Sequence, residues 1–383
     1  MKFIHISDLH IGRRLGEYSL LDDQRFMLGE VLDLIREEVP DALLIAGDIY
    51  DKTVPPAEAV GLLDDFLTEA AAMTRVLLIA GNHDSPERIA FGGRLMEGAG
   101  VTVCGIYDGL PHKVTLNDAW GEVHFYLLPY LRPADVRRVF PDADTETYDA
   151  AFSAAVEALE IDSAARNVLV SHQFVSGSVR SESEIVSVGG TDAVDAGHFD
   201  RFDYAALGHL HRAQTCGGDG DAAVHYIGSP LPYSVSEADD EKAALVVTMC
   251  EKGIIEVHRH PLMPYRRMYR LRGTYAGLMA LDFYRDTDYP DSYVQITLTD
   301  EGDIPDALYR LRTVYPYLLR LEYDNTRTRT EFCADALSDA GKMDPCALFA
   351  SFYKQQNGVE MDAEMQEYMA HLIARIFGEE AAQ

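Results

Sequence analysis

The stretch Leu43-Leu44-Ile45-Ala46-Gly47-Asp48 constrains the fold more than any other. Four apolar residues in a row read as a strand covered on both faces, and Gly47 then forces a turn. Asp48 falls just past the strand's carboxyl end, where open α/β sheets carry their chemistry. A single Gly-Asp after a strand is an ordinary turn. Here the arrangement recurs. Residues 1–7 lead to Asp8-Leu9-His10, and 76–79 lead to Gly81-Asn82-His83-Asp84. Residues 168–170 lead to Ser171-His172, and 204–207 to Gly208-His209-Leu210-His211.

Between these runs, residues 22–38 place Phe26, Leu28, Val31, Leu32, Ile35 and Val39 at helical spacing, with Pro40 as the stop, and 57–73 reads as a second amphipathic helix. Strands alternating with helices predict βαβ units and a mainly parallel sheet. Further strands are expected at 101–104 and 123–128, with a helix near 146–160. Runs at 224–228, 244–249 and 254–258 are expected to complete a second, antiparallel sheet. The fold class is therefore α/β, two layers of sheet covered by helices. Residues 173–200, rich in Ser, Gly and Asp, read as a long mobile insertion near the strand ends.

Around Pro261-Leu262-Met263-Pro264 the texture changes, which sets a first domain at 1–264. Residues 265–330 alternate strand (265–272), helix (275–284), strand (293–299), helix (306–314) and strand (317–323), a small α+β module. Residues 331–383 read as purely helical. Asp344-Pro345 starts one helix and Asn357-Gly358 ends it, and 361–377 forms another.

A net charge of −30 argues against strong unaided binding to nucleic acid, because phosphate contacts need Lys and Arg. The charge is unevenly spread. Residues 265–330 hold ten Arg and ten Asp or Glu, 331–383 carry a net −7, and 1–264 the remaining −23. Bound divalent cations would neutralise part of that excess. Cys104, Cys216, Cys250, Cys333 and Cys346 are few, odd in number and widely spaced, which suggests reduced thiols in a cytoplasmic protein. No apolar run approaches the ~20 residues of a membrane helix, and the N-terminus lacks the apolar region of a signal peptide.

Asp8, His10, Asp48, Asn82, His83, His172, His209 and His211 together offer carboxylate, imidazole and amide oxygen with no thiolate. That set suits Mn²⁺, Fe²⁺, Zn²⁺ or Mg²⁺ with positions open to water. Asp-x-His and His-x-His put two side chains on one face of an extended segment, so each pair can converge on a centre. Any one of these residues alone is more simply a turn or surface group. Five such strand ends in one βαβ series reverse that weighing.

Asp8-x-His10, Gly47-Asp48-x-x-Asp51, Gly81-Asn82-His83-Asp84, Ser171-His172 and Gly208-His209-x-His211 resemble the motif set of the calcineurin-like metallophosphoesterases, in order and spacing, over most of residues 1–215. The segments 4–10, 202–211 and Gly228-Ser229-Pro230-Leu231-Pro232-Tyr233-Ser234 resemble more narrowly the SbcD-type DNA exonuclease subunits. The resemblance implies a two-sheet αββα sandwich with a small capping domain and a helical tail. It implies two Mn²⁺ ions (Mg²⁺ or other divalent cations being possible), one taken by Asp8, His10, His211 and bridging Asp48, the other by Asp48, Asn82, His172 and His209. His83 would then face the substrate, with Asp51 or Asp84 as its orienting carboxylate; for each, a plain turn or helix-cap role is an equal alternative.

The same resemblance implies a 3′→5′ exonuclease on double-stranded DNA with endonuclease activity at hairpins or single strands, and a homodimer. Its partner would be an SbcC-like coiled-coil ATPase, held by the C-terminal helices. Their apolar stripes are Leu348, Phe349, Phe352 and Tyr353, then Met361, Met365, Tyr368, Met369, Leu372, Ile373 and Ile376. Alternation along the expected strand 265–272 would aim Arg266, Arg270 and Arg272 the same way, as a phosphate-tracking edge or as a solvated face paired with the module's own acids. Arg180 could also border the groove. Two other readings stand beside this one: a free-standing phosphoesterase acting on nucleotides or phosphoproteins, and a non-catalytic scaffold.

Overall fold

The strand Ala42–Ala46 is buried at every residue and pairs in parallel with Lys2–Ile6 on one side and Arg75–Ile79 on the other. It lies at the centre of the first of two six-stranded sheets in the computed structural model, which is described for residues 1–181, 184, 192–216, 223–326, 345–357 and 359–378. The order in this sheet is Ile255–Pro261, Ala243–Met249, Lys2–Ile6, Ala42–Ala46, Arg75–Ile79, Val101–Cys104. The second runs Gln214–Cys216, Ala223–Tyr226, Tyr204–Gly208, Arg166–His172, Gly121–Leu128, Lys113–Asp118.

Side chains alternate along each strand, so each sheet has an inner and an outer face. Phe3, Leu44, Leu77 and Ile79 of the first sheet meet Phe125, Leu127, Val168, Val170 and Tyr204 of the second in one apolar core. On the outer face of the second sheet, Tyr126, Leu128, Leu169 and Leu207 share a core with Phe152 and Val156 of helix Tyr148–Glu157. Helices Leu21–Glu38 and Ala57–Ala71 lie side by side and bury Leu28, Val31, Ile35, Leu62 and Phe66. The first of them ends one residue before Val39, which takes a left-handed φ of 46° ahead of Pro40 and is exposed, not part of the buried stripe. Phe26 is also exposed, with its ring 5.5 Å from that of Tyr265.

Strand membership differs from expectation. The runs 244–249 and 254–258 join the first sheet, not the second: Phe3 pairs with Val247 and Val247 with Val257, both antiparallel. The second sheet is parallel through its centre and antiparallel only at its two edges. Apolar runs report burial, and burial alone does not say which neighbour a strand takes. The edge strand Lys113–Asp118 escapes sequence reading because it alternates exposed and half-buried residues with no apolar run.

A polar clasp ties the two sheets together. The Met1 α-ammonium donates to the Met249 carbonyl at 3.0 Å and pairs with the Asp118 carboxylate. Arg166, almost fully buried, binds the same carboxylate and the carbonyls of Gly121, Met249 and Cys250 at 2.8, 3.2 and 2.7 Å.

The chain divides into two units, Met1–Met268 and Tyr269–Gln383. The strand Met268–Gly273, which starts at the last residue of the first unit, forms a sheet with Tyr293–Leu298 and Leu318–Tyr323 over a core of Leu271, Leu278, Val294, Ile296, Leu311 and Tyr315. The helix expected at 275–284 is two short ones, Tyr275–Leu278 and Leu281–Tyr284. Helices Pro345–Asn357 and Ala363–Gly378 pack on each other. The expected cap Asp344 and stop Gly358 lie outside the described residues. Among the described residues, no helix is long and apolar enough to cross a membrane.

Candidate metal centre

The loops that follow Lys2–Ile6 and Ala42–Ala46 are zipped together by their main chains. Asp8 N donates to Gly47 O at 3.1 Å, His10 N to Asp48 O at 2.9 Å, and Ile11 N to Ile49 O at 2.9 Å. Gln24 locks the first loop, donating to the carbonyls of Leu9 (3.2 Å) and His10 (2.8 Å) and accepting from Gly12 N. Asp84 locks the second to the third. Its buried carboxylate accepts from Ile49 N, Tyr50 N and Gly81 N at 2.9–3.0 Å.

Backbone strain is concentrated here. Of six non-glycine residues with positive φ among the described residues, four are Asp8 (53°), His10 (43°), Asp48 (48°) and His209 (99°). Such conformations persist where the surroundings over-determine them, and they gather at functional sites. Glycine is required beside them. A Cβ on Gly81 would stand 2.2 Å from Asp48 Oδ1, and one on Gly208 would meet Ala46 O at 2.0 Å.

All seven residues expected to hold metal converge. Asp8, His10 and His211 present atoms within 4.8 Å of one another, as do Asp8, Asp48 and His172. Asp48 Oδ2 lies 3.5 Å from His10 Nε2 and 3.4 Å from His172 Nε2, so one oxygen is common to both sides. Asn82 Oδ1 faces His172 Nε2 at 3.0 Å and His209 Nδ1 at 2.8 Å. His172 Nδ1 is taken by Ala46 O at 2.8 Å, which leaves Nε2 for the centre. Tyr130, missed in the sequence, stacks on His209 with centroids 6.1 Å apart and planes 16° from parallel.

The donor set fits divalent cations. His10 Nε2 and His211 Nε2 face each other at 3.1 Å, two imidazole nitrogens that a shared cation satisfies as well as a shared proton. Burial pushes the Asp8 carboxyl up to about 6, and the Asp48 charge adds to that, against His172 and His211. For Asp48, burial pushes upward, but His172, His10 and His83 outweigh it and hold the group well below the usual carboxylate range. His172 shows the reverse: burial lowers its pKa, yet Asp48 and Asp8 lift it to about 9. His10 and His209 are held low by burial, His209 to about 3. The ionised Asp48 carboxylate, buried among these imidazoles, calls for compensating positive charge, which a proton on His172 or a bound cation supplies.

His83 sits at the edge of this cluster, half-buried, its ring centroid 4.7 Å from that of His10. Its Nδ1 lies 3.0 Å from the main-chain oxygen of Asp51. The Asp51 carboxylate instead takes Arg13 at 2.9 Å, and Arg13 also lies over the Tyr233 ring. The contact seen for the His83 ring is thus with the Asp51 main chain, and the Asp84 oxygens are taken by three amides.

The arginines separate. The strand begins at Met268, so Arg266 precedes it, ion-paired with buried Asp23 at 3.2 Å and over the Tyr265 ring. Arg270 and Arg272 are exposed on the same face of the strand, and Arg272 pairs with Asp324. Arg180 lies 3.7 Å over the Phe174 ring and pairs with Asp192 at 2.7 Å. The insertion's described flanks are tied down, Phe174–Val175 pairing with Ala193–Val194; residues 182–183 and 185–191 lie outside the described residues. In the tail, Phe349, Tyr353, Met361, Met365, Tyr368 and Met369 line a groove of about 450 Å³. The side chain of Ile376 lies outside the described residues.

Comparison with known proteins places residues 1–213 in the calcineurin-like phosphoesterase family model. Residues 264–357 match the model described as the type 5 capsule protein repressor C-terminal domain. The chain is 27% identical over 388 residues, 99% of its length and 100% of the relative's, to the D subunit of the SbcCD nuclease of Staphylococcus epidermidis (strain ATCC 12228 / FDA PCI 1200). Among solved structures, a dimetal phosphatase from Danio rerio is similar at TM-score 0.39 and 13% identity, covering 69% of this chain and 99% of its own. A protein from Thermus thermophilus is similar at 0.38 and 10%, covering 67% and 98%.

Proposed function

This chain belongs to the calcineurin-like phosphoesterase family, and on that premise we propose that it is a two-metal DNA phosphodiesterase, the nuclease subunit of an ATPase-coupled complex. The activity is 3′→5′ exonuclease on double-stranded DNA with endonuclease action at hairpins or single strands, in the cytoplasm, with Mn²⁺ as the cofactor. The observation that carries this reading is the single Asp48 oxygen common to His10 and His172. Full-length similarity to a nuclease subunit supports the substrate class.

Asp8, His10, His211 and Asp48 would hold one cation, and Asp48, Asn82, His172 and His209 the other. Bound there, the pair supplies Lewis acidity and activates water for in-line attack at phosphorus. His83, anchored by the Asp51 carbonyl, stabilises charge on the phosphoryl oxygens or protonates the leaving oxygen. Tyr130, stacked on His209, orients its ring.

Residues 1–264 form the nuclease domain in this reading, 265–330 a DNA-contacting module through Arg270 and Arg272, and 331–383 the tail that docks a coiled-coil ATPase in its methionine-lined groove. The nuclease domain forms a homodimer. With −23 on residues 1–264, the partner supplies the basic surface that tracks DNA. The same acidity favours the second reading, a free-standing phosphoesterase acting on nucleotides or phosphoproteins.

Hydrolysis of bis-p-nitrophenyl phosphate, a phosphomonoester and hairpin DNA, each in Mn²⁺ and Mg²⁺, separates these readings. A nuclease cleaves the diester and the hairpin. Monoester activity alone favours the second reading, and inactivity on all three would identify a scaffold.

A further inference from the structure

The segment 228–234 shares sequence texture with known nucleases but contributes no atom to the converging set. The structure gives it another task. Gly228 takes a φ of 81°, and a Cβ there would stand 2.4 Å from the His211 carbonyl, so only glycine lets the chain pass. Ser229 N then donates to that carbonyl at 3.2 Å. The following turn, Val235–Glu237, carries Glu237 into the interior, where it is fully buried.

Glu237 Oε1 lies 3.5 Å from His211 Nδ1. Its Oε2 accepts from Lys242 Nζ at 2.6 Å, Ser229 Oγ at 3.2 Å and Tyr233 N at 3.3 Å. Lys242, also buried, spends its remaining ammonium hydrogens on the His211 carbonyl and Ser229 Oγ, both at 3.0 Å. His211 is therefore gripped at two points, its carbonyl by Lys242 and its ring by Glu237. A buried charge pair is a costly way to hold a loop and by itself adds little stability. It does suit the fixing of a histidine ligand, whose second nitrogen is commonly set by a carboxylate.

We propose that Glu237 and Lys242 are positioning residues that keep the His211 proton on Nδ1 and so present a bare Nε2 toward Asp8 and His10. The inference rests on the two-metal reading and deepens it. Lys242 holds the carboxylate in place, and Glu237 selects the tautomer.

The test uses the full chain. Mn²⁺ titration by calorimetry and electron paramagnetic resonance should find two ions bound to the parent. In Glu237→Gln one of them should weaken by about 10- to 100-fold while the other is retained. Long-range ¹⁵N spectra of histidine-labelled, metal-free protein should show the His211 ring as Nδ1–H in the parent and a tautomer mixture in the variant. Should Glu237→Gln misfold around its unpaired lysine, Glu237→Gln/Lys242→Met removes both charges, folds, and should show the same weakened ion. Parental affinity for both ions, or an unchanged tautomer, in the folded single or double variant overturns the proposal and leaves the two-metal reading intact. A parent that binds fewer than two ions overturns that reading instead.

Discussion

The main-chain amide of His83 donates to Oδ1 of Asp48 at 2.8 Å, while Nδ1 of the His83 ring lies 3.0 Å from the Asp51 carbonyl oxygen. Backbone and side chain of one residue thus serve different tasks. The amide survives substitution and continues to hold Asp48. His83→Ala should retain two bound Mn²⁺ ions by calorimetry and lose turnover by about 10²- to 10⁴-fold on a diester substrate. Loss of either ion would make His83 a ligand instead of a group facing substrate.

Gly81→Ala changes none of the converging side chains, yet its Cβ would stand 2.2 Å from Asp48 Oδ1 and 2.3 Å from Asp48 N. Either Asp48 or the loop must move. The variant should remain folded by circular dichroism and bind Mn²⁺ at least about tenfold more weakly, in keeping with the precision that ligand geometry demands. Parental metal affinity would show that Asp48 does not need its present position.

Acid should destabilise the protein through His5, a residue outside the metal cluster. Burial, with help from His225, lowers its pKa to about 3, and burial lowers His225 to about 4. Both are neutral in the folded chain. Below their ordinary value near 6.5 the unfolded chain binds protons that the folded chain refuses. Their contribution is therefore complete above pH 6.5 and is lost as pH falls toward 4 and then 3. At pH 5 the His5 share amounts to about 2 kcal/mol. Urea unfolding at pH 7.5 and pH 5 should show a drop smaller by that amount in His5→Gln than in the parent; equal drops would refute the assignment.

If Arg270 and Arg272 follow a phosphate backbone, replacing both with alanine should weaken DNA binding without regard to sequence. The slope of log affinity against log salt should fall by about 1 for each contact removed. Diester hydrolysis of a small substrate should not change. An unaltered slope would leave Arg272 as the surface partner of Asp324 that it also is.

The site was legible because its side chains follow buried strands directly. Asp8, Asp48, His172 and His209 each stand where an apolar run breaks, and that break is visible without coordinates. Strand order was not legible: nothing in the alternation of 244–249 says that it pairs with Lys2–Ile6. Contacts made through the main chain were equally hidden. The three amides on Asp84, the grip of Gln24 on the Leu9 and His10 carbonyls and the Asp51 oxygen on His83 all depend on separate loops meeting. Arg266 was misplaced for a plainer reason. Parity along a strand carries meaning only once its first residue is known, and this strand starts at Met268.

The placement of Lys2–Ile6 between Ala42–Ala46 and Ala243–Met249 also bears on how the chain is assembled. One flank of that strand is satisfied early by a close neighbour, while the other waits for residues at the far end of the same domain. Until they arrive, a bare apolar edge is open to foreign strands. Pairing with Ala243–Met249 closes a far longer loop than pairing with Ala42–Ala46 and carries the larger entropy cost. A chain truncated ahead of Ala243 would keep every converging side chain and still be prone to aggregate.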